Sequence, residues 1–219
     1  MFLRTRPSTD DPVAVARRLV ADGCAVAVEK PRDDVVDRLA AAGLAPHCEL
    51  TLDVDRLGAA RVRALAADPA VPVAVSGPAA TVDAVAHDLP DVRVVVRAGE
   101  DLAEARCRAH AGRRVRLVAG RPASDLAFVR CLNVLMAGDG HAGIAASSPR
   151  LIAITGERAA WTGRTPDSWE HVVPYGVLTD ERRRLVAAGH AVRVAVPSGP
   201  GAAVSAGLGV LVRRLGGRA

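Results

Sequence analysis

Asp53 and Asp55 stand two residues apart near the end of an alternating run, His47 to Val54. On a strand they would face the same way, and two carboxylates so placed could hold a cation or share a proton. The plainer reading is two solvated carboxylates partnered by Arg56 or Arg121. Lys30 is the only lysine, and so the one side chain able to form a Schiff base. Arg97 could bind an anion or pair with a neighbouring acid. Ser198-Gly199-Pro200-Gly201 could cradle a phosphate with backbone N–H groups, but Pro200 has none to give, and a plain turn explains it better. Cys24, Cys48, Cys107 and Cys131 lack metal-type spacing and read as small buried or half-buried side chains.

These residues fall where strand-like runs meet helix-like ones. Asp10-Asp11-Pro12 opens a helix with Val13, Ala16, Leu19 and Val20 on one face, and Gly23 ends it. β-Branched or alternating runs predict strands at Cys24–Val28, His47–Val54, Val71–Val75, Val92–Val96, Val115–Val118, Gly143–Ala146, Glu170–Gly176 and Ala191–Pro197. Helices are expected at Asp33–Ala42, Leu57–Ala67, Ala79–His87, Leu102–His110, Asp125–Met136, Pro149–Ala159 and Arg182–Ala188, with a last one from about Ala203 to Leu215. Thr179 offers an N-cap hydroxyl, Asp180 and Glu181 suit the helix dipole, and Gly189 supplies a left-handed stop.

Eight strands, each followed by a helical pattern, imply a parallel sheet closed into one compact (β/α)8 TIM-type barrel with an N-terminal helix, a single domain over residues 1–219. An open doubly wound sheet would carry a Gly-rich phosphate loop after an early strand, but Glu29-Lys30-Pro31 stands after the first one here. Barrel logic puts the site at the C-terminal strand ends: Glu29 and Lys30, Asp53 and Asp55, Ser76, Arg97, Ala119 to Arg121, Ser147 and Ser148, Tyr175, Ser198 and Gly199.

A net charge of +5 and a pI near 9.6 raise the question of nucleic acid. The arginines, however, form scattered clusters (Arg17-Arg18, Arg113-Arg114-Arg116, Arg182-Arg183-Arg184, Arg213-Arg214). The five aromatics, Phe2, Phe128, Trp161, Trp169 and Tyr175, do not interleave with them to stack bases. The clusters read as solvated faces, which argues against nucleic acid as a partner. The N-terminus has no apolar signal core and no uncharged run is long enough to cross a bilayer, so a cytoplasmic protein is expected.

The stretch Glu170 to Gly199, EHVVPYGVLTDERRRLVAAGHAVRVAVPSG, packs a strand, an Arg-rich helix and a strand into about 30 residues. Its order closely resembles the C-terminal part of bacterial monofunctional proline dehydrogenases, flavoenzymes built on a distorted (β/α)8 barrel. Arg114-Val115-Arg116-Leu117-Val118-Ala119-Gly120 resembles that family's R-V-R-L-V-K-G strand. Phe128 to Leu132 with Leu135 to Gly138 resembles the helix after it, and Ile144 to Ile152 its V-A-T-H-D-P-R-L-I segment. The resemblance implies FAD, oxidation of proline to pyrroline-5-carboxylate, and electrons passed to a quinone. It places Arg116, Ala119, Ser147 and Glu170 on the flavin side, and Asp53, Tyr175 and the paired Arg213 and Arg214 on the substrate side.

The departures fall at functional positions. Ala119 replaces a lysine, Ser147 a histidine, Val172 a glutamine, Ala195 a tyrosine, and Asp53 reverses the charge of a substrate-facing lysine. Asp53 would repel a carboxylate, and Ala119, Ser147 and Val172 offer a flavin few donors. The leading expectation is a degenerate homologue that has lost FAD and binds a small molecule or a protein partner. The alternatives are a working FAD-dependent amine-oxidising enzyme, and a barrel enzyme using Asp53 and Asp55 with a metal or an anionic substrate.

Overall fold

The computed structural model describes residues 11–67, 71–120, 125–146 and 148–198. Within them the β-branched runs become β1 (Ala25–Glu29), β2 (Cys48–Asp53), β3 (Val73–Ser76), β4 (Arg93–Arg97), β5 (Val115–Val118), β6 (Ala142–Ala145), β7 (Trp169–Pro174) and β8 (Val192–Pro197). Neighbours in sequence pair in parallel, and β8 returns to β1 with Ala25 opposite Arg193 and Glu29 opposite Pro197. The result is the closed (β/α)8 barrel that the alternation implies.

The helices are α1 (Pro12–Ala21), α2 (Val35–Ala41), α3 (Val54–Leu57), α4 (Ala59–Ala66), α5 (Ala79–Asp88), α6 (Ala103–Ala109), α7 (Asp125–Ala137), α8 (Pro149–Trp161) and α9 (Thr179–Ala187). The N-terminal helix α1 buries Val13, Val15, Ala16 and Leu19 and packs on both β1 and β8, across the seam where the barrel closes. The helix expected from Ala203 to Leu215 lies outside the described residues.

Two local expectations need correction. The helix expected over Leu57–Ala67 begins at Ala59 as α4, and a short unexpected helix, α3, precedes it and ends at Gly58, which takes a left-handed φ of 76°. Leu178, at φ 55°, holds the cap position of α9, so Thr179 is its first helical residue and does not cap it. Gly189 does stop that helix in the left-handed region, and the His190 N–H returns to the Leu185 carbonyl at 3.0 Å.

Side chains alternate across a strand, so each strand has an outer and an inner set. The outer set includes Val26, Val28, Leu50, Leu52, Val94, Val96, Val115, Leu117, Ile144, Val194 and Val196. It joins Leu39, Val62, Phe128, Leu132, Leu151 and Leu185 of the helices in one hydrophobic core. Fully burying such a side chain stabilises the fold by roughly 1.5–3 kcal/mol. The inner set is different in kind and positions the site.

Candidate functional site

On β2, Glu49 and Thr51 alternate with the outward Leu50 and Leu52, and closure of the sheet turns them into the lumen. Arg93 on β4, Arg116 on β5, Glu170 on β7 and Arg193 on β8 share that orientation, because their charged ends meet across the barrel. Arg93 Nε donates to Glu49 Oε2 at 2.7 Å, and its Nη2 lies 3.0 Å from Glu170 Oε1. Arg193 Nε donates to the same Glu170 oxygen at 2.8 Å. Arg116 donates through Nη1 to Glu29 Oε1 at 2.7 Å and to Thr51 Oγ1 at 3.0 Å, and through Nη2 to Glu49 Oε1. Arg114, nearer the N-terminal end of the strands, reaches Glu49 Oε2 at 3.4 Å.

Small residues leave room for this network. Ala27 lies in register with Glu49 on one side and Ala195 on the other, and Gly143 lies between Arg116 and Glu170. A Cβ on Gly143 would stand 2.8 Å from Arg93 Nη1 and 3.4 Å from Glu170 Oε1. Gly143 is therefore required by the close approach of a guanidinium that has no exposed surface.

Burial alone would push the Glu49 carboxyl upward. The guanidinium groups of Arg93, Arg116 and Arg193 outweigh that effect and hold it far below the usual carboxylate range. Glu170 is likewise raised by burial and lowered further by Arg193 and Arg93, with a net fall. Burial disfavours the charge on Arg116, but Glu49 and Glu29 more than restore it. His141 is pushed down by burial and by the positive charge of Arg93. Glu49 and Glu170 thus stay ionised against Arg116 and Arg193, whose charge the carboxylates favour in turn.

Above this layer lies the C-terminal rim. Lys30, in a left-handed conformation at φ 53°, donates its backbone N–H to the Thr51 carbonyl and places Nζ 3.3 Å from Asp53 Oδ2. Asp53 caps α3 by accepting from the N–H groups of Asp55 at 3.1 Å and Arg56 at 3.4 Å. Asp55 therefore sits on a helix, and the two carboxylates do not share a strand face. Lys30 is the cation paired with Asp53, Arg56 meets it only through its backbone N–H, and Arg121 lies outside the described residues. Ser76 Oγ donates to the Leu52 carbonyl, and Arg97 pairs with Glu100 at 3.6 Å, the neighbouring acid its position suggested. Among the described residues no group of three His, Cys, Asp or Glu side chains is placed to hold a metal ion.

Of the residues singled out on the flavin side, Ala119 follows β5 at the rim, where its N–H binds the Ala145 carbonyl. Arg116 forms the lumen floor and Glu170 lies in the same charged layer, whereas Ser147 lies outside the described residues. Of the substrate-side residues, Tyr175 stands at the same rim as Ala119 and its hydroxyl accepts from Arg18 of α1 at 2.5 Å. Asp53 is tied to Lys30 and α3. Arg213, Arg214 and the loop residues Gly199 to Gly201 lie outside the described residues.

The sequence reading missed Arg93, Arg193, Thr51 and Glu49 as a unit. It also took the arginine clusters for solvated faces. Arg116 is 3% exposed, and Arg182, 8% exposed, bonds Cys24 and Asp22. The available signal was charge alternating with β-branched residues inside strands that must close into a barrel.

The fold has counterparts among solved structures. Proline utilization A (PutA) from Bdellovibrio bacteriovorus, solved after inactivation by N-propargylglycine, superposes with a TM-score of 0.72 at 15% identity, over 93% of this chain and 31% of that one. PutA from Corynebacterium freiburgense gives 0.57 at 13% identity, over 94% of this chain and 29% of that one. The chain thus spans less than a third of either protein, and the likeness is one of fold. No family model matches the sequence, and no curated protein matches it.

Proposed function

We propose that the 219-residue chain is one proline dehydrogenase-like barrel domain, catalytically degenerate, whose mouth binds a small polar molecule in place of flavin and proline. The observation that carries this reading is the state of Arg116. Glu29, Glu49 and Thr51 take both of its terminal nitrogens and its Nε is buried, so its charge is committed below the mouth. A flavin needs donors at its ring heteroatoms and apolar or aromatic walls. The described residues offer the methyls of Ala119 and Val172, a Glu170 held by two arginines, and a Tyr175 whose hydroxyl is engaged by Arg18. These residues do not fit FAD.

The same residues argue against proline. A carboxylate needs an uncommitted cation, whereas Lys30 at the rim is paired with Asp53. What the mouth does present is the Glu29 carboxylate, 31% exposed, beside the Thr51 hydroxyl. Such a floor suits a small molecule rich in hydrogen-bond donors. Burial of several arginines supports the view that nucleic acid is not a partner. Among the described residues no helix is long and apolar enough to cross a membrane, and a cytoplasmic location belongs to this proposal.

A second reading, a working FAD-dependent proline or amine oxidase, is favoured by the fold likeness to PutA and by the place of Arg116 on the lumen floor. It would use Arg213, Arg214 and Tyr175 around the substrate. An absorbance spectrum after gel filtration, with a proline:dye-reduction assay, separates the two. The proposal expects no flavin band and no proline-dependent reduction, and reduction that scales with protein would overturn it.

A further inference from the structure

Above the charged layer the barrel mouth is divided by chemistry. On the β1–β2 side stand two rim carboxylates, Glu29 and Asp53, and the cation beside them, Lys30, pairs with Asp53. Glu29 turns one oxygen into the lumen, where Oε1 accepts from Thr51 at 3.0 Å and from Arg116 at 2.7 Å. Its other oxygen, Oε2, takes no hydrogen bond or ion pair from the described residues, and the side chain is 31% exposed. Arg116 is itself shared with Glu49, so it does not answer Glu29 alone. Across the mouth, alternation along β5, β6 and β8 turns Val118, Ala145 and Ala195 inward, one step above Arg116, Gly143 and Arg193. All three are half-buried, so the space above the charged layer is open on that side and lined by short apolar side chains.

We propose that the mouth takes a small organic cation, a primary ammonium on a short unbranched aliphatic chain, with the ammonium on Glu29 Oε2 and the chain along Val118, Ala145 and Ala195. This inference rests on the reading of the mouth as a small-molecule site and names its ligand class. Charge selects the head group. A carboxylate would meet Glu29 and Asp53 with Lys30 already paired, and would be repelled. A neutral hydroxyl could give Oε2 one uncharged hydrogen bond. An ammonium brings three donors and the opposite charge, and a hydrogen bond between ionised partners is roughly twice as strong as a neutral one.

The far wall selects the body. Hydroxyl groups laid against Val118, Ala145 and Ala195 would lose water and gain no partner, whereas methylene groups lose nothing by leaving water. Each methylene that reaches this wall should tighten binding roughly threefold to fourfold.

The test is calorimetric titration of the full chain near neutral pH and at low salt, with n-butylammonium, n-butanol and butyrate as probes of one chain length and three charge states. Saturable, stoichiometric binding of n-butylammonium is expected, with n-butanol and butyrate roughly tenfold or more weaker, and methylammonium weaker by a similar factor. Glu29→Gln should weaken n-butylammonium roughly tenfold to a hundredfold. The probe comparison is made on the wild type, so it decides the matter even if Glu29→Gln fails to fold. No saturable heat with n-butylammonium, equal affinity for n-butanol, tighter binding of butyrate, no gain from methylammonium to n-butylammonium, or unchanged binding in Glu29→Gln would each overturn the proposal. None of these results touches the reading of a barrel without flavin, which falls instead on a flavin band or proline-dependent reduction in the same preparation.

Discussion

The two faces of the same eight strands are built from opposite chemistry. The outer face is aliphatic and packs against helices, while the inner face joins three arginines to three glutamates across a lumen walled by Ala27, Ala195 and Gly143. Outside, stability comes from area removed from water and depends on shape. Inside, burying charge is unfavourable, and the attraction between partners offsets that cost only while every partner is present. The outer shell thus tolerates conservative change by degrees, whereas the lumen is specified as a set. Its ion pairs also cross the barrel, from β4 to β2 and β7 and from β5 to β1 and β2, so they fix which strands face one another.

The contrast breaks most clearly at Glu49. Glu49→Leu would leave Arg93, Arg114 and Arg116 without a carboxylate they all contact, and should destabilise the protein by about 3–5 kcal/mol. Leu132→Ala in the outer core should lose about 2–5 kcal/mol through its cavity. The distinguishing pair is Glu49→Gln, which keeps the shape and still loses much of the stability, against Leu132→Met, which should lose less than about 1.5 kcal/mol. Urea unfolding followed by circular dichroism measures all four. A Glu49→Gln loss no larger than that of Leu132→Met would mean that the lumen charges are not mutually dependent.

Acid separates the two faces by pH window. His171 lies on the outer face of β7, between Trp169 at 4.6 Å and His190 at 5.6 Å between ring centroids. Burial, then the nearby His190, lowers its pKa from 6.5 to about 4. Its neutral form is the folded one, so its contribution is intact above pH 6.5 and lost progressively as pH falls towards 4, up to roughly 3 kcal/mol in all. Glu49 and Glu170 are also lowered, so their contribution is present above the unfolded carboxylate range, near 4.5, and is lost only below it. His171→Phe should therefore make the stability profile shallower between pH 6.5 and 4.5, where His141 also contributes, and leave the steeper fall below it. An unchanged slope in the upper window would remove His171 from the account.

Smaller effects sharpen the same division. Gly143→Ala adds one methyl against Arg93 and Glu170 and should destabilise by about 1–3 kcal/mol, measurable as a lower urea midpoint. Asp88→Asn breaks the exposed pair with Arg63, 2.6 Å apart, and should change stability by no more than about 1 kcal/mol. A larger loss at Asp88 than at Gly143 would reverse the order that burial predicts.

Much of the scaffold could be read from the chain, because strand and helix periods are local. β5 has the bounds its sequence predicts, and the other strands shift by only one or two residues at their ends. Val54–Leu57 shows the limit: one helical turn, α3, is too short to give a period of its own, and Gly58 ends it in the left-handed region before the expected helix begins. The lumen was harder to see for a reason of topology. Charged residues alternating with valine, as in Val-Arg-Leu-Val or Trp-Glu-His-Val-Val, normally mark a strand with one wet face, and closure of the sheet turns that face inward. Asp53 and Asp55 failed as a pair because a strand ended between them, a boundary that Asp53 itself helps to set by capping α3. Arg116 and Glu170 were singled out by resemblance alone, with no physical sign of their partners.

The central claim is that the lumen charges pair with one another, Arg93 Nη1 and Arg116 Nε alone lying buried without a hydrogen-bond partner among those arginines, and leave no uncommitted cation for a flavin. Titration of FAD into the purified chain, followed by the shift in its visible absorbance, tests this most directly, with Glu29→Gln run beside the wild type to loosen Arg116. The account predicts no saturable shift for the wild type at FAD concentrations well above those of the protein. A stoichiometric shift in the wild type, abolished in Arg116→Met, would contradict it, because Arg116 would then be serving a flavin despite Glu29 and Glu49.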